Sequence, residues 1–169
     1  MTRSTGMTDA SVLMDVGSGL CRPLIHALAT GRVTACLGVE IDHVKCRKAR
    51  AFITLTTKRI RAKGMNLKTD FNLEVVCSGI EGLSSIGSTT HIYTFWEGVP
   101  ADARIALGKL FRESPTTTAI CVVQRAIRHP PAEFMADYGF GRLLLVEKQK
   151  VMMSGSRSSF TAYIFVKHS

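Results

Sequence analysis

The sequence predicts an α/β fold, a doubly wound, mostly parallel seven-stranded sheet closed by a C-terminal antiparallel hairpin. Three observations carry this. Apolar runs alternate with longer amphipathic stretches along the chain, the order that builds βαβ units. The apolar runs are near-continuous rather than alternating, as strands covered on both faces require. The last two runs are separated only by "SGSRS", too short for a crossover helix, so they must run antiparallel. At 169 residues the chain is read as one domain over 1–169, large enough for its own core.

The elements follow in order. Ser11 to Val16 is the first strand, and Arg22 to Gly31 a helix with Pro23 in its first turn, where the missing N–H costs nothing. Val33 to Ile41 is the second strand. His43 to Lys63 is the longest helix, with Val44, Phe52, Ile53 and Ile60 as its apolar side and Gly64 to stop it. Asn72 to Cys77 and His91 to Trp96 read as strands, and Ala101 to Arg112 as a helix entered through Pro100. Thr117 to Gln124 is a fifth strand and Pro131 to Tyr138 a short helix. Arg142 to Met152 and Ser158 to Lys167 form the closing hairpin.

Composition narrows the class. Apolar residues make up 46% and charged residues 21%, which argues against disorder. No apolar run approaches the roughly 20 residues of a membrane span, and the N-terminus lacks the apolar stretch of a signal peptide. The five cysteines are scattered without Cys-x-x-Cys spacing and read as buried reduced thiols with no metal. An intracellular protein is expected. Net charge is +9, and nine basic residues with no acid lie between His43 and Thr69. That segment carries the whole excess.

The stretch "VLMDVGSGLCRPL" places a glycine turn directly after the first strand. In a doubly wound sheet ligands bind at the carboxyl ends of the strands. Gly17 and Gly19 let the backbone approach a ligand, with Ser18 between them. Glu40 ends the second strand, where a carboxylate can accept from both hydroxyls of a ribose. A dinucleotide fingerprint requires a third glycine at the place of Arg22, so a pyrophosphate turn is compromised. Asp15, just before the turn, favours a ligand carrying a cationic amino group. S-adenosylmethionine (SAM) has that group, a ribose and no phosphate.

"DVGSGLCRPLIHAL" followed by "GVEIDHVKCRKARAF" resembles the nucleotide-binding half of the Rossmann-like class I SAM-dependent methyltransferases. Within them it is most similar to the non-SET histone lysine methyltransferases of the disruptor-of-telomeric-silencing type. The resemblance covers Val12 to Phe52. It implies that Gly17 and Gly19 line the methionine part of SAM and that Glu40 holds the ribose. Beyond that stretch the pattern departs: few residues precede the first strand where those enzymes carry a lid, which leaves a longer parent chain open. "TFWEGVP" stands where they have an Asn-rich stretch. Ser78 or Glu81 takes the place of an acid near the adenine.

Methyl transfer is an in-line displacement that needs positioning and a dry site rather than a covalent nucleophile. Phe95 and Trp96 are expected to wall an acceptor channel, with Glu97 orienting the acceptor or taking its proton. The reading is a protein lysine, histone-like methyltransferase, chromatin-associated and nuclear, with a histone or nucleosome as protein substrate. Its alternatives are an RNA or small-molecule methyltransferase on the same core, or a domain that binds SAM or nucleic acid without catalysis. The basic run Lys45 to Lys68 is expected to bind a polyanion, DNA or RNA, through its phosphates.

Overall fold

The computed structural model describes residues 5–64, 71–152 and 158–168. Seven strands form one sheet: β1 (Val12–Val16), β2 (Ala35–Glu40), β3 (Leu73–Cys77), β4 (His91–Phe95), β5 (Ala119–Gln124), β6 (Leu143–Met152) and β7 (Ser159–Lys167). Four helices connect them: α1 (Arg22–Ala29), α2 (His43–Ala62), α3 (Ala101–Glu113) and α4 (Pro131–Ala136). The spatial order is β3-β2-β1-β4-β5-β7-β6. The first five strands pair in parallel, while β7 is antiparallel to both β5 and β6. The expected doubly wound sheet with its antiparallel hairpin is thus the fold. Most of the turn expected at "SGSRS", and Lys68 of the basic run, lie outside the described residues.

The chain reverses its order between β1 and β4, and that switch point sets the site. Two apolar layers flank the sheet. One joins Met14, Val16, Ile92 and Ile120 of the strands to Leu107 and Phe111 of α3 and Met135 of α4. The other joins Leu13 and Cys36 to Leu24 and Leu28 of α1 and Cys46 and Ala49 of α2. Alternation along β1 therefore sends Met14 and Val16 one way and Leu13 the other.

The buried strip of α2 differs from the expected one. Cys46 and Ala49 face the sheet, with Ile53 partly buried behind them, while Val44 is exposed. Small side chains win these places because the helix packs close over β2 and β3. Asp42 caps α2, its Oδ1 accepting from the Val44 and Lys45 amides at 2.8 and 3.1 Å, which supplies two of the donors a helix start leaves open. Among the described residues, no helix is long and apolar enough to cross a membrane.

Two residues of the basic run are engaged within the fold. Lys45 lines the cavity described below, and the Arg50 guanidinium donates to the Val75 carbonyl at 2.9 Å. Helix α2 also packs on the β2–β3 side of the sheet, away from the β4 and β5 strand ends.

Candidate cofactor site

The turn after β1 is built by left-handed backbone. Gly17 has φ +79° and Gly19 φ +52°, and a Cβ at either would meet nothing within 4 Å. Both glycines thus offer bare backbone facing open space, which is what a ligand cradle requires. The Gly17 and Ser18 amides donate to the Val39 carbonyl at 2.8 and 3.1 Å, tying the turn to the end of β2. Ser18 is buried, and its hydroxyl packs 3.5 Å from the Cys21 thiol.

Cys21 is a feature that the sequence reading missed. It is the one non-glycine residue with positive φ among the described residues, at φ 58° and ψ 26°. Such backbone is costly for a residue bearing a Cβ. The turn thus contains a third left-handed residue, one place before the Arg22 where a third glycine was sought. Strain of this kind concentrates at functional turns.

Glu40 is held in a defined pose. Its Oε2 accepts from the Gly19 amide and its Oε1 from the Asp42 amide, both at 3.0 Å. The side chain is buried, yet it borders the cavity. Each carboxylate oxygen has acceptor capacity beyond the one amide it binds, so a pair of vicinal hydroxyls fits this group. Beside it lies a cavity of about 310 Å³, within the size range of ligand pockets. Gly17, Ile41, Ser78, Ile80, Phe95 and Val99 line it, at the carboxyl ends of β1 to β4.

Ile41 and Ile80 supply apolar walls that the sequence reading did not name. Ile41 is 65% exposed, and such a side chain at a cavity rim is available to a flat ring. Its place directly after Glu40 was the one available signal. Ser78 lies on the wall, its amide donating to the Glu40 carbonyl at 3.0 Å and its hydroxyl to Gly79 O at 2.9 Å. Glu81 also borders the cavity. The Glu81 carboxylate lies close over Gly79, within 2.4 Å of where a Cβ would stand.

Asp15 lies beneath the turn and does not border the cavity. It is 3% exposed and sits opposite Tyr93 of β4 and Gly38 of β2 in the sheet register. Burial, and then the neighbouring Glu40 charge, push its carboxyl up to about 7. A nearby cation would offset that cost, so the group suits a ligand ammonium better than a phosphate.

Phe95, Trp96 and Glu97 diverge at the end of β4. Phe95 borders the cavity and packs edge-on against Phe160, with ring centroids 5.1 Å apart. Trp96 does not wall a channel. It is fully buried on the opposite face, edge-on to Tyr138 at 5.5 Å and under the Arg104 guanidinium at 5.0 Å. Arg104 also donates to the Trp96 and Val99 carbonyls at 2.9 and 2.8 Å, fixing the loop that closes the cavity. Glu97 is exposed, and its Oε1 accepts from the Arg125 amide at 2.9 Å, linking the ends of β4 and β5.

The strand order and the antiparallel hairpin define a Rossmann-like fold that solved methyltransferases share. M. capricolum TrmK, solved with S-adenosyl-homocysteine, shares it with a TM-score of 0.64 at 8% identity, over 95% of this chain and 64% of that one. A putative tRNA methyltransferase from Streptococcus pneumoniae matches with a TM-score of 0.61 at 13% identity, over 96% of this chain and 66% of that one. A putative RNA methyltransferase from Pyrococcus horikoshii matches with a TM-score of 0.65 at 14% identity, over 98% and 79%. The chain therefore spans about two thirds of the length of the first two. No protein-family model and no curated protein sequence matches it.

These comparisons correct the expected kinship with histone lysine methyltransferases. Of these three solved structures, the two whose names give an acceptor are named for tRNA and for RNA. The stretch from Val12 to Phe52 builds β1, β2 and the cofactor turn, which enzymes of many substrates share, so it held no information about the acceptor. The histone, nucleosome and chromatin assignments, and the basic helix as their polyanion contact, fall with it.

Proposed function

We propose that this chain is the core of a SAM-dependent methyltransferase whose acceptor is RNA. The observation that carries the cofactor is Glu40, clamped by the Gly19 and Asp42 amides at the edge of a cavity walled by Ile41 and Ile80. In this reading Glu40 takes the ribose hydroxyls, and Ile41 and Ile80 sandwich the adenine with Ser78 at its edge. The bare backbone of Gly17 to Gly19 accommodates the amino-acid part, with Asp15 beneath it as counter-charge. When bound, SAM supplies an electrophilic methyl on a sulfonium. Phe95, on the cavity wall, would help to exclude water from the site, and Glu97, anchored through the Arg125 amide, would orient the acceptor or take its proton. Trp96 serves only as the packing that holds this loop. RNA as acceptor is supported by the names of several solved structures that share the fold.

Incubation with methyl-labelled SAM and, separately, tRNA, histones and arsenite tests the acceptor. Label is expected in RNA alone. The arsenite arm is included because an arsenic methyltransferase from Chlamydomonas reinhardtii shares the fold at 14% identity and a TM-score of 0.62. Label in arsenite alone would replace RNA by a small acceptor. For the cofactor, Glu40→Ala is expected to weaken SAM binding at least tenfold by calorimetry, since bonds to a charged acceptor contribute about 1.5–3 kcal/mol each. Undiminished affinity in that variant would remove Glu40 from the ribose.

A further inference from the structure

Next to the cofactor cavity, on the outer side of β3, lies a group of side chains that methyl transfer does not use. Cys77 ends β3, and its Sγ is 3.2 Å from His43 Nδ1, a contact open to solvent. His43 is the first residue of α2, so the pair sits at the positive end of a twenty-residue helix. Cys46, one turn along, lies in the apolar cluster that Cys77 packs against and donates its S–H at 3.3 Å to the carbonyl of Glu40, the residue paired with Cys77 across β2 and β3. The other three cysteines, Cys21, Cys36 and Cys121, are buried.

We propose that Cys77 and Cys46 form a peroxide-sensitive thiol pair, with His43 as the base that starts the reaction. His43 takes the Cys77 proton, and the thiolate attacks one peroxide oxygen. The O–O bond breaks, and the departing hydroxide recovers the proton from His43 as water, leaving Cys77 as a sulfenic acid. The Cys46 sulfur then attacks the Cys77 sulfur. The S–O bond breaks, the hydroxyl leaves with the Cys46 proton as a second water, and a disulfide remains. Two thiols are oxidised and one hydrogen peroxide is reduced to two waters.

Selectivity follows from the surroundings. Burial pushes the Cys36 and Cys121 thiols up to about 12 and raises that of Cys21, which removes the thiolate that an oxidant needs. Burial, reinforced by the neighbouring Cys77, lifts Cys46 to about 11, so it waits as the neutral second thiol. Cys77 alone combines partial exposure with a base in contact. The consequence reaches the site: the Glu40 carbonyl accepts from both the Cys46 thiol and the Ser78 amide, so joining Cys46 to Cys77 removes one of the bonds that set the cavity wall.

The test is limited hydrogen peroxide on the reduced protein, followed by alkylation and peptide mass spectrometry. Cys77 is expected to react at least roughly tenfold faster than Cys21, Cys36 and Cys121, and the linked product to join the Cys46 and Cys77 peptides. His43→Gln, a surface change that leaves the fold intact, is expected to slow the Cys77 reaction by roughly tenfold. Cys46→Ser should leave a sulfenic acid on Cys77 that dimedone traps. Equal reactivity of all five cysteines, or an unchanged rate in His43→Gln, would overturn the proposal. None of these readouts requires methyl transfer, so the thiol pair and the proposed activity can fail separately.

Discussion

Asp15 shows how a single buried group sets a measurable property of the whole chain. Its carboxyl is raised from the ordinary 3.8 to about 7, first by burial and then by the Glu40 charge. A carboxyl raised on folding holds a proton that the unfolded chain has released, so its contribution is complete below about pH 3.8 and is lost as pH climbs to about 7. Over that window the loss amounts to at most about 4 kcal/mol. Urea unfolding at pH 5 and pH 8 is expected to find the protein less stable at the higher pH, and Asp15→Asn to remove most of the difference. Parallel pH profiles for the two proteins would show that Asp15 ionises without cost. Whereas Asp15 lies off the cavity wall, the places of Gly17 and Glu40 on that wall were legible because each has a side-chain property, or lack of one, tied to the end of a strand. Cys21 was not, since its positive φ belongs to the backbone path, and nothing in a cysteine announces it.

Between elements, close approach matters more than hydropathy. Gly108 lies inside α3, and a Cβ there would fall 2.0 Å from the Tyr138 carbonyl, backbone that has no easy route away. Gly108→Ala is expected to destabilise the protein by about 1–3 kcal/mol, as overpacking does, with the shift in urea midpoint as the measure. Gly38 of β2 is less tight, and its neighbours belong to the cofactor turn: a Cβ would meet Ser18 Oγ at 2.8 Å and Cys21 Sγ at 2.9 Å. Gly38→Ala should therefore displace the turn and cost SAM affinity more than it costs stability, a contrast that calorimetry and urea unfolding resolve together. The same preference for small residues explains the misread face of α2. Val44 and Ile60 are the more apolar residues, yet Cys46 and Ala49 occupy the contact because only they allow the helix to settle on the strands. Trp96 was misread for a related reason. Phe95 ends β4 while Trp96 opens a short 3-10 turn, and the sequence alone does not say that this turn carries the indole into the core beside Tyr138 and Phe140.

At the scale of the molecule, the cofactor half was readable and the acceptor half was not. The alternation of runs and turns fixes the sheet, and the sheet fixes where a ligand binds, but acceptor choice depends on loops whose sequence here follows no pattern. The proposed site draws on the ends of β1 to β4, elements that adjoin in the sheet but lie far apart along the chain. A ligand bridging them adds its binding free energy to the folded state alone, as RT ln(1 + [L]/Kd). At a concentration one hundred times the dissociation constant this is about 2.7 kcal/mol, or about 5–10 °C in melting temperature for a domain of this size. SAM and S-adenosyl-homocysteine are both expected to give that shift. NAD is expected to give none, because Arg22 stands where a pyrophosphate turn needs its third glycine and the buried Asp15 beneath the turn repels phosphate once ionised. The Glu40→Ala variant separates site binding from general stabilisation, for it should lose most of the SAM shift while the wild type keeps it. A shift with NAD equal to that with SAM would mean that the turn accepts a pyrophosphate, and the assignment of the cavity to SAM would not survive it.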